Sequence, residues 1–225
     1  MELVLVRHAE PEWTREGLSV DNPGLTDRGH EQARRLAERL AHERFDAILV
    51  SSMVRAQQTA APILEVLDAT SSTEVWLEEL RMPDWTGTPS AEVDELFRTA
   101  MARPIADQWD GMAGGERFSD FHERVTKGLE TTLAPLGVTP TDDDDPLWEI
   151  DEPDARVLIV AHAGTNATAM GHMLGIQPMP WEWERFVMFH SSFSVLRPLR
   201  IGHGWSFSLF RLGDVEHLPD EMRTR

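Results

Sequence analysis

The chain of 225 residues contains no cysteine, no tyrosine and a single lysine, Lys127. Without cysteine there is no disulfide, no thiolate metal site and no cysteine nucleophile, and the composition suits a reducing compartment, the cytoplasm by default. No apolar run approaches the roughly 18 residues needed to cross a bilayer, so no membrane anchor is expected. The opening stretch from Met1 to Trp13 has neither a basic region before its short apolar run nor a small-residue cleavage site, and it reads as part of the fold rather than a secretory signal. Positive charge is scarce: 21 Lys and Arg stand against 39 Asp and Glu, a net charge of −18. That balance argues against nucleic acid and anionic membranes as partners, and any anionic substrate must find a local positive pocket. Nearly every cation is arginine, which forks two parallel hydrogen bonds onto phosphate. Biased codon usage would produce the same preference.

What is present points to one α/β domain, long enough to carry an inserted lobe. Leu3 to Val6 is an apolar run that ends in Arg7-His8. Ala47 to Val50, ending in Ser51-Ser52, and Val157 to Val160, ending in Ala161-His162, repeat the design. Each is expected to be a buried parallel strand with polar groups at its carboxyl end. Ala33, Leu36, Ala37 and Leu40 recur at helical spacing behind Thr26, a suitable N-cap. Ala56, Ala60, Ile63 and Leu64 predict a second helix, and the stretch from His162 through Met170 and Leu174 to Gly175 predicts a third. Alternation of this kind implies a three-layer α/β/α sandwich with a mostly parallel central sheet, in which ligands bind outside the carboxyl ends of the strands. Residues 84–135 show helical spacing at Val93, Leu96 and Phe97 and are expected to form an inserted helical lobe over that edge. Residues 139–154, with Asp142 to Asp145 in a row, are expected to be a solvated acidic loop. Ser192 to Leu199 and Trp205 to Leu212, flanking Gly202-His203-Gly204, suggest a C-terminal hairpin on the sheet edge. Residues 213–225 read as a loose tail.

Arg7-His8-Ala9-Glu10 resembles the Arg-His-Gly signature of the histidine phosphatase superfamily, also called phosphoglycerate mutase-like. The tripeptide alone is weak, but further matches follow in order: Leu25-Thr26-Asp27-Arg28-Gly29 through Ala33, Ser51-Ser52-Met53-Val54-Arg55-Ala56, Glu78-Glu79-Leu80 with Trp85-Thr86-Gly87, Gly114-Gly115-Glu116, and Ala161-His162-Ala163-Gly164. The ordered set covers roughly residues 1 to 170. The resemblance implies a phosphohydrolase of the phosphatase branch, acting on a small phosphorylated substrate with neither metal nor cofactor.

The roles it implies agree with the chemistry. A phosphomonoester carries about −1.5 to −2 charges at neutral pH, so attack needs a nucleophile and dense compensation of the phosphoryl oxygens. His8 would attack as neutral imidazole and become phosphohistidine. Arg7, Arg55 and His162 would hold the oxygens. Glu79 would protonate the departing alkoxide. The family register, six positions before Trp85, selects it over Glu78, and adjacent residues of an extended segment face opposite sides, so only one is expected in the pocket. Trp13, Thr14, Trp85, Glu116 and Ala163 match positions around the substrate, although Trp is often core and Gly115-Glu116 is a common turn before a helix. Ala9 stands where the signature has glycine, and its methyl is expected to narrow the approach to phosphate. His190 stands where many relatives place an asparagine or serine near the phosphate and is a further candidate. His30, His42, His122, His172, His203 and His217 read as surface or packing residues.

Other accounts have less support. The chain lacks a His-Glu-x-x-His zinc pattern, a P-loop, a Gly-x-Ser-x-Gly elbow and a Gly-x-Gly-x-x-Gly turn. A phosphoglycerate mutase of the same family remains the enzymatic alternative. Against it, Glu79-Leu80-Arg81-Met82-Pro83 has no counterpart to the mutase Glu-Arg-x-Tyr-Gly segment, and Thr14 stands where asparagine is typical. A non-catalytic module that binds phosphorylated ligands is the other alternative, opposed by the filled catalytic positions. The sequence leaves the oligomeric state open, a homodimer included, and does not name the leaving group.

Overall fold

The alternating side chains of three apolar strands divide between two helical layers, and this division sets the architecture. The computed structural model describes residues 1–141 and 145–225. Its elements, in chain order, are β1 (Glu2–Arg7), a small hairpin of β2 (Thr14–Arg15) and β3 (Leu18–Ser19), α1 (Asp27–Leu40), β4 (Ala47–Ser51), α2 (Val54–Leu67) and β5 (Ser72–Glu74). There follow α3 (Ser90–Met101), α4 (Ile105–Gln108), α5 (Phe118–Leu133), β6 (Val138–Pro140), β7 (Trp148–Ile150), β8 (Arg156–Ala161), α6 (Ala163–Met173), β9 (Phe193–Ile201) and β10 (Gly204–Asp214). Val4, Val6, Ile48, Val50, Leu158 and Val160 face Leu36, Leu40, Ala56, Ala60 and Ile63 of α1 and α2. Leu3, Leu5, Leu49, Val157 and Ile159 face Val125 and Leu129 of α5 and Ala167, Met170 and Met173 of α6. Each large aliphatic side chain buried in this way contributes about 1.5–3 kcal/mol, which keeps polar residues out of the strands and displaces them to the strand ends.

The eight strands lie in the order β5-β4-β8-β1-β9-β10-β7-β6. β5, β4, β8 and β1 run parallel, with Arg7 opposite Ala161 and Val50 opposite Val160. The carboxyl ends of β4, β8 and β1 are therefore flush, and the residues that follow them share one edge. Thr26 caps α1 as expected, its hydroxyl accepting from the Gly29 N–H at 2.9 Å. α6 ends at Gly175, whose φ of +65° is the left-handed conformation that terminates helices.

Three segments differ from the sequence expectation. The hairpin of β9 and β10 forms, and the sheet continues beyond it, because 139–154 is not a loop throughout: Trp148 and Ile150 are buried on either side of exposed Glu149, and this two-residue alternation makes β7 a strand that pairs with β10 and β6. Asp142 to Asp144 of the acidic run lie outside the described residues. Within 84–135 only the first part lies over the site. α5 is a layer helix, since Phe118, Phe121, Val125, Leu129 and Leu133 form a continuous buried stripe. Residues 213–225 are not loose. Leu218 is buried, and the Gln32 side-chain amide donates to Met222 O at 2.7 Å and to Thr224 Oγ1 at 3.0 Å. Polarity suggested solvent there, but these polar groups meet buried partners.

Candidate active site

His8 leaves the end of β1 only 3% exposed, with its ring centroid 5.1 Å from that of His162, which follows β8. Nδ1 of His8 lies 2.8 Å from Ala9 O. A carbonyl only accepts, so Nδ1 carries the proton and Nε2 keeps the lone pair. Arg55, in the first turn of α2, confirms the assignment by donating from Nε to His8 Nε2 at 3.3 Å. Burial first, then the charges of Arg55 and Arg7, holds the His8 pKa well below that of an ordinary imidazole. The nucleophile the sequence suggested is thus kept as a base.

The cations around it are fixed in turn. Arg7 donates from Nη1 to Met188 O at 2.5 Å and from Nη2 to His190 Nε2 at 3.1 Å. The Arg55 guanidinium lies over the Trp13 ring, 4.7 Å from its centroid, a favourable cation–π contact. Burial lowers both guanidinium pKa values to about 10, which leaves both charged at neutral pH. His162 meets Ser51 Oγ through Nε2 at 2.8 Å. Burial and the neighbouring Arg55 and Arg7 also hold it neutral well below the ordinary histidine value. Arg7 Nε, Arg55 Nη1 and His162 Nδ1 are buried without a hydrogen-bond partner among the described residues.

Glu79 reaches the same place from the segment after β5. Its carboxylate accepts the Gly164 N–H at 2.8 Å through Oε2 and the Leu80 N–H at 3.0 Å through Oε1. Gly164 is required for this approach, since a Cβ there would stand 2.3 Å from Oε1. Arg124 braces the segment from behind, donating to the carbonyls of Trp76, Glu78 and Glu79 and pairing with Glu116 at 2.8 Å.

A cavity of about 990 Å³ opens over these groups. Arg7, Trp13, Thr14, Arg55, Glu79, Trp85 and Ala163 line it, as the sequence suggested, and His8 and His162 lie just behind its wall. Three expectations fail. Glu116 does not face the cavity, because its carboxylate is engaged by Arg124 and by the Arg81 N–H. Ala9 is fully buried away from the wall, with its N–H on Thr59 Oγ1, so its methyl does not narrow the approach. Glu78 enters the cavity beside Glu79, since a single-turn 3₁₀ helix precedes the pair and the two are not strand neighbours on opposite faces. Burial pushes the Glu78 pKa up, but the Ser52 hydroxyl at 2.5 Å and Arg81 at 2.9 Å bring it below the ordinary value. His190 touches His8 and Arg7 without lining the cavity.

Sequence reasoning missed Ser51, Asn22, Arg225 and the apolar wall of Phe97 and Trp183. Asn22 Oδ1 accepts the Val54 N–H at 3.0 Å and so caps the helix that carries Arg55. Ser51 was legible as the polar end of a strand. Arg225 carried no signal, because its place depends on the path of the last thirteen residues. Among the described residues no group of three or more His, Cys, Asp or Glu is placed to hold a metal ion, and no helix is long and apolar enough to cross a membrane.

Comparison with known proteins gives a consistent picture. The sequence profile of the histidine phosphatase superfamily (branch 1) matches residues 3–209. Phosphoserine phosphatase 1 of Hydrogenobacter thermophilus is 32% identical over 133 residues, 58% of this chain and 63% of that protein, so the match spans a little under two thirds of the relative. The 2,3-bisphosphoglycerate-dependent phosphoglycerate mutase of Brucella ovis is 42% identical over 185 residues, covering 78% of this chain and 82% of the mutase. Among solved structures, a mycobacterial glucosyl-3-phosphoglycerate phosphatase superposes with a TM-score of 0.66 at 25% identity, over 95% of this chain and 99% of its own. Bacillus stearothermophilus YhfR superposes with a TM-score of 0.73 at 24% identity, over 96% and 98%, and shares the fold.

Proposed function

The chain belongs to the histidine phosphatase superfamily, branch 1, and on that premise we propose that it hydrolyses small phosphomonoesters through a phosphohistidine on His8. One observation carries the reading: Arg7 Nε, Arg55 Nη1 and His162 Nδ1 are buried around the His8 ring with no partner among the described residues. A buried donor without a partner costs about 1–3 kcal/mol; a phosphoryl group supplies acceptors for both guanidinium nitrogens and, with the Ser51 hydroxyl donating to His162 Nε2, for a protonated His162 Nδ1. As substrate enters, Arg55 turns from His8 Nε2 to the phosphoryl oxygens and frees the lone pair. Nε2 forms the bond to phosphorus, the ester P–O bond breaks, and Glu79 gives its proton to the leaving oxygen. Glu79, now ionised, takes a proton from water as that water attacks the phosphohistidine. The P–N bond breaks, and His8, Glu79 and inorganic phosphate are recovered. The step needs no metal ion, so hydrolysis persists in excess chelator; loss of activity on chelation, restored by metal, would assign the charge compensation to an ion.

A mutase reading is favoured by the likeness to the Brucella ovis phosphoglycerate mutase, and a phosphoglycerate carries a carboxylate as well as its phosphate. The wall opposes it. Arg81 is held by Glu78 at 2.9 Å and Arg225 by Glu184 at 2.8 Å, and around them stand Trp85, Val93, Phe97, Met82 and Trp183, the uncharged polar groups of Ser19, Asn22, Ser52 and Ser90, and the acids Asp21 and Asp94. Beyond Arg7 and Arg55, which the phosphoryl group takes, each arginine of that wall among the described residues is already in an ion pair, so hydrolysis is the stronger reading and the leaving group is a largely uncharged one. A cytoplasmic place for the enzyme belongs to the same proposal and rests on the cysteine-free composition. The test is a phosphomonoester panel read by release of inorganic phosphate, with His8→Ala as control and 3-phosphoglycerate plus 2,3-bisphosphoglycerate as the mutase arm. Phosphate release that disappears in His8→Ala supports the hydrolase; interconversion of phosphoglycerates without release supports the mutase.

A further inference from the structure

A single imidazole ties the last residues of the chain to the arginine beside the nucleophile. Arg7 Nη2 donates to His190 Nε2 at 3.1 Å, so Nε2 is an acceptor and, in the neutral ring, Nδ1 carries the proton. That nitrogen lies 2.9 Å from Thr224 Oγ1. The His190 main-chain N–H donates to Thr224 O, also at 2.9 Å, so the two residues are joined twice. Thr224 Oγ1 in turn accepts from Gln32 Nε2 at 3.0 Å, and Gln32 Oε1 accepts the Glu10 N–H at 2.8 Å, two residues beyond His8. Gln32 and His190 are both buried, so bulk water does not compete for these bonds. With Nη1 already on Met188 O, two of the three Arg7 nitrogens are committed to residues 188 and 190, and Nε is the one left without a partner among the described residues. The guanidinium plane is thereby fixed, and the fixing depends on a ring that Thr224 orients.

We propose that His190 is a positioning residue, held by the Thr224 hydroxyl, which sets the Arg7 guanidinium in the plane that meets the phosphoryl oxygens. Residues 213–225 are then a strap whose docking determines phosphate affinity. Arg225, next in the chain, lines the cavity and pairs with Glu184, so the same docking completes the wall. The assignment rests on the phosphatase reading, through Arg7 as a phosphate ligand.

The experiment uses the full chain and four variants, Thr224→Val, Thr224→Ser, His190→Phe and the His190→Phe/Thr224→Val double. The inhibition constant of inorganic phosphate and kcat/KM for 4-nitrophenyl phosphate are measured beside the melting temperature. Thr224→Val and His190→Phe each weaken phosphate about tenfold, the order of one weakened charge-assisted hydrogen bond, while Thr224→Ser stays within about twofold of the parent. Because both act through one guanidinium, the double variant is no worse than His190→Phe alone. Thr224→Val at parental affinity overturns the proposal, whatever happens to its melting temperature, and so do effects that multiply in the double variant, which would route Thr224 through Gln32 instead. If His190→Phe does not fold, Thr224→Val against Thr224→Ser decides. A parent that neither binds phosphate nor hydrolyses the ester defeats the phosphatase reading and this inference with it, whereas an active parent with an indifferent Thr224→Val defeats this inference alone.

Discussion

Arg55 Nε lies 3.3 Å from His8 Nε2 and donates to it, so in the proposed reaction the cation assigned to phosphate also keeps the assigned nucleophile unprotonated until phosphate arrives. Burial and this charge hold the His8 pKa well below its ordinary value. The expected outcome is a kcat/KM profile that, once corrected for the ester's own ionisation near pH 6, shows no loss of a basic group near pH 6.5 and persists into mild acid. An acid limb that follows an apparent pKa near 6.5 contradicts the geometry.

Glu79 and Glu78 separate by leaving group. Glu79→Gln removes the proposed proton donor and is expected to lower kcat about 10²–10⁴-fold for an alkyl phosphate. The loss should be far smaller for 4-nitrophenyl phosphate, whose phenolate departs without help. Glu78→Gln should show no such dependence, since Glu78 is occupied by Ser52 and Arg81. The reverse pattern, measured across the two esters, would transfer the role to Glu78.

Gly164 is a steric requirement of the acid. An added Cβ would meet Glu79 Oε1 at 2.3 Å and the Trp183 ring at 2.8 Å. Gly164→Ala should therefore lower kcat about 100-fold, the scale of an ångström's misplacement, and with the same leaving-group dependence as Glu79→Gln. Parental kinetics in a folded Gly164→Ala protein would show that Glu79 need not stand at the start of α6.

Much of this was legible in the residues themselves. The strands ending at His8, Ser51 and His162 announce themselves because a strand buried on both faces must be apolar and its polar neighbours must fall at its ends. Thr26 and Gly175 mark helix ends by local chemistry alone. Trp148 and Ile150 were hidden by acidic neighbours, although their alternation is a strand signal. Thr224 and Arg225 were not legible, because a polar segment reads as solvated until the partners it reaches, Gln32, His190 and Glu184, are known in space. Glu116 was misplaced because a motif position does not tell which side chain its carboxylate will meet.

Buried neutral histidines make the fold sensitive to acid. Burial holds His190 at about 3 and, aided less by Arg39 and Arg223, His217 at about 4. Unfolded histidine titrates near 6.5, so below that pH the unfolded chain binds protons that the folded one refuses, and stability falls as pH drops from about 6.5 toward about 4. Thermal melts across that window should show the decline, and His217→Asn should make it shallower. A melting temperature that rises on acidification through the window would contradict the burial argument.

The most direct test is chemical trapping of the nucleophile. A radiolabelled phosphomonoester mixed rapidly with the protein and quenched in alkali should leave label on the chain, lost on later acid treatment as phosphohistidine is, mapped to the peptide containing His8 and absent in His8→Ala. Turnover at the parental rate in His8→Ala, or label carried by any other residue, would contradict the account.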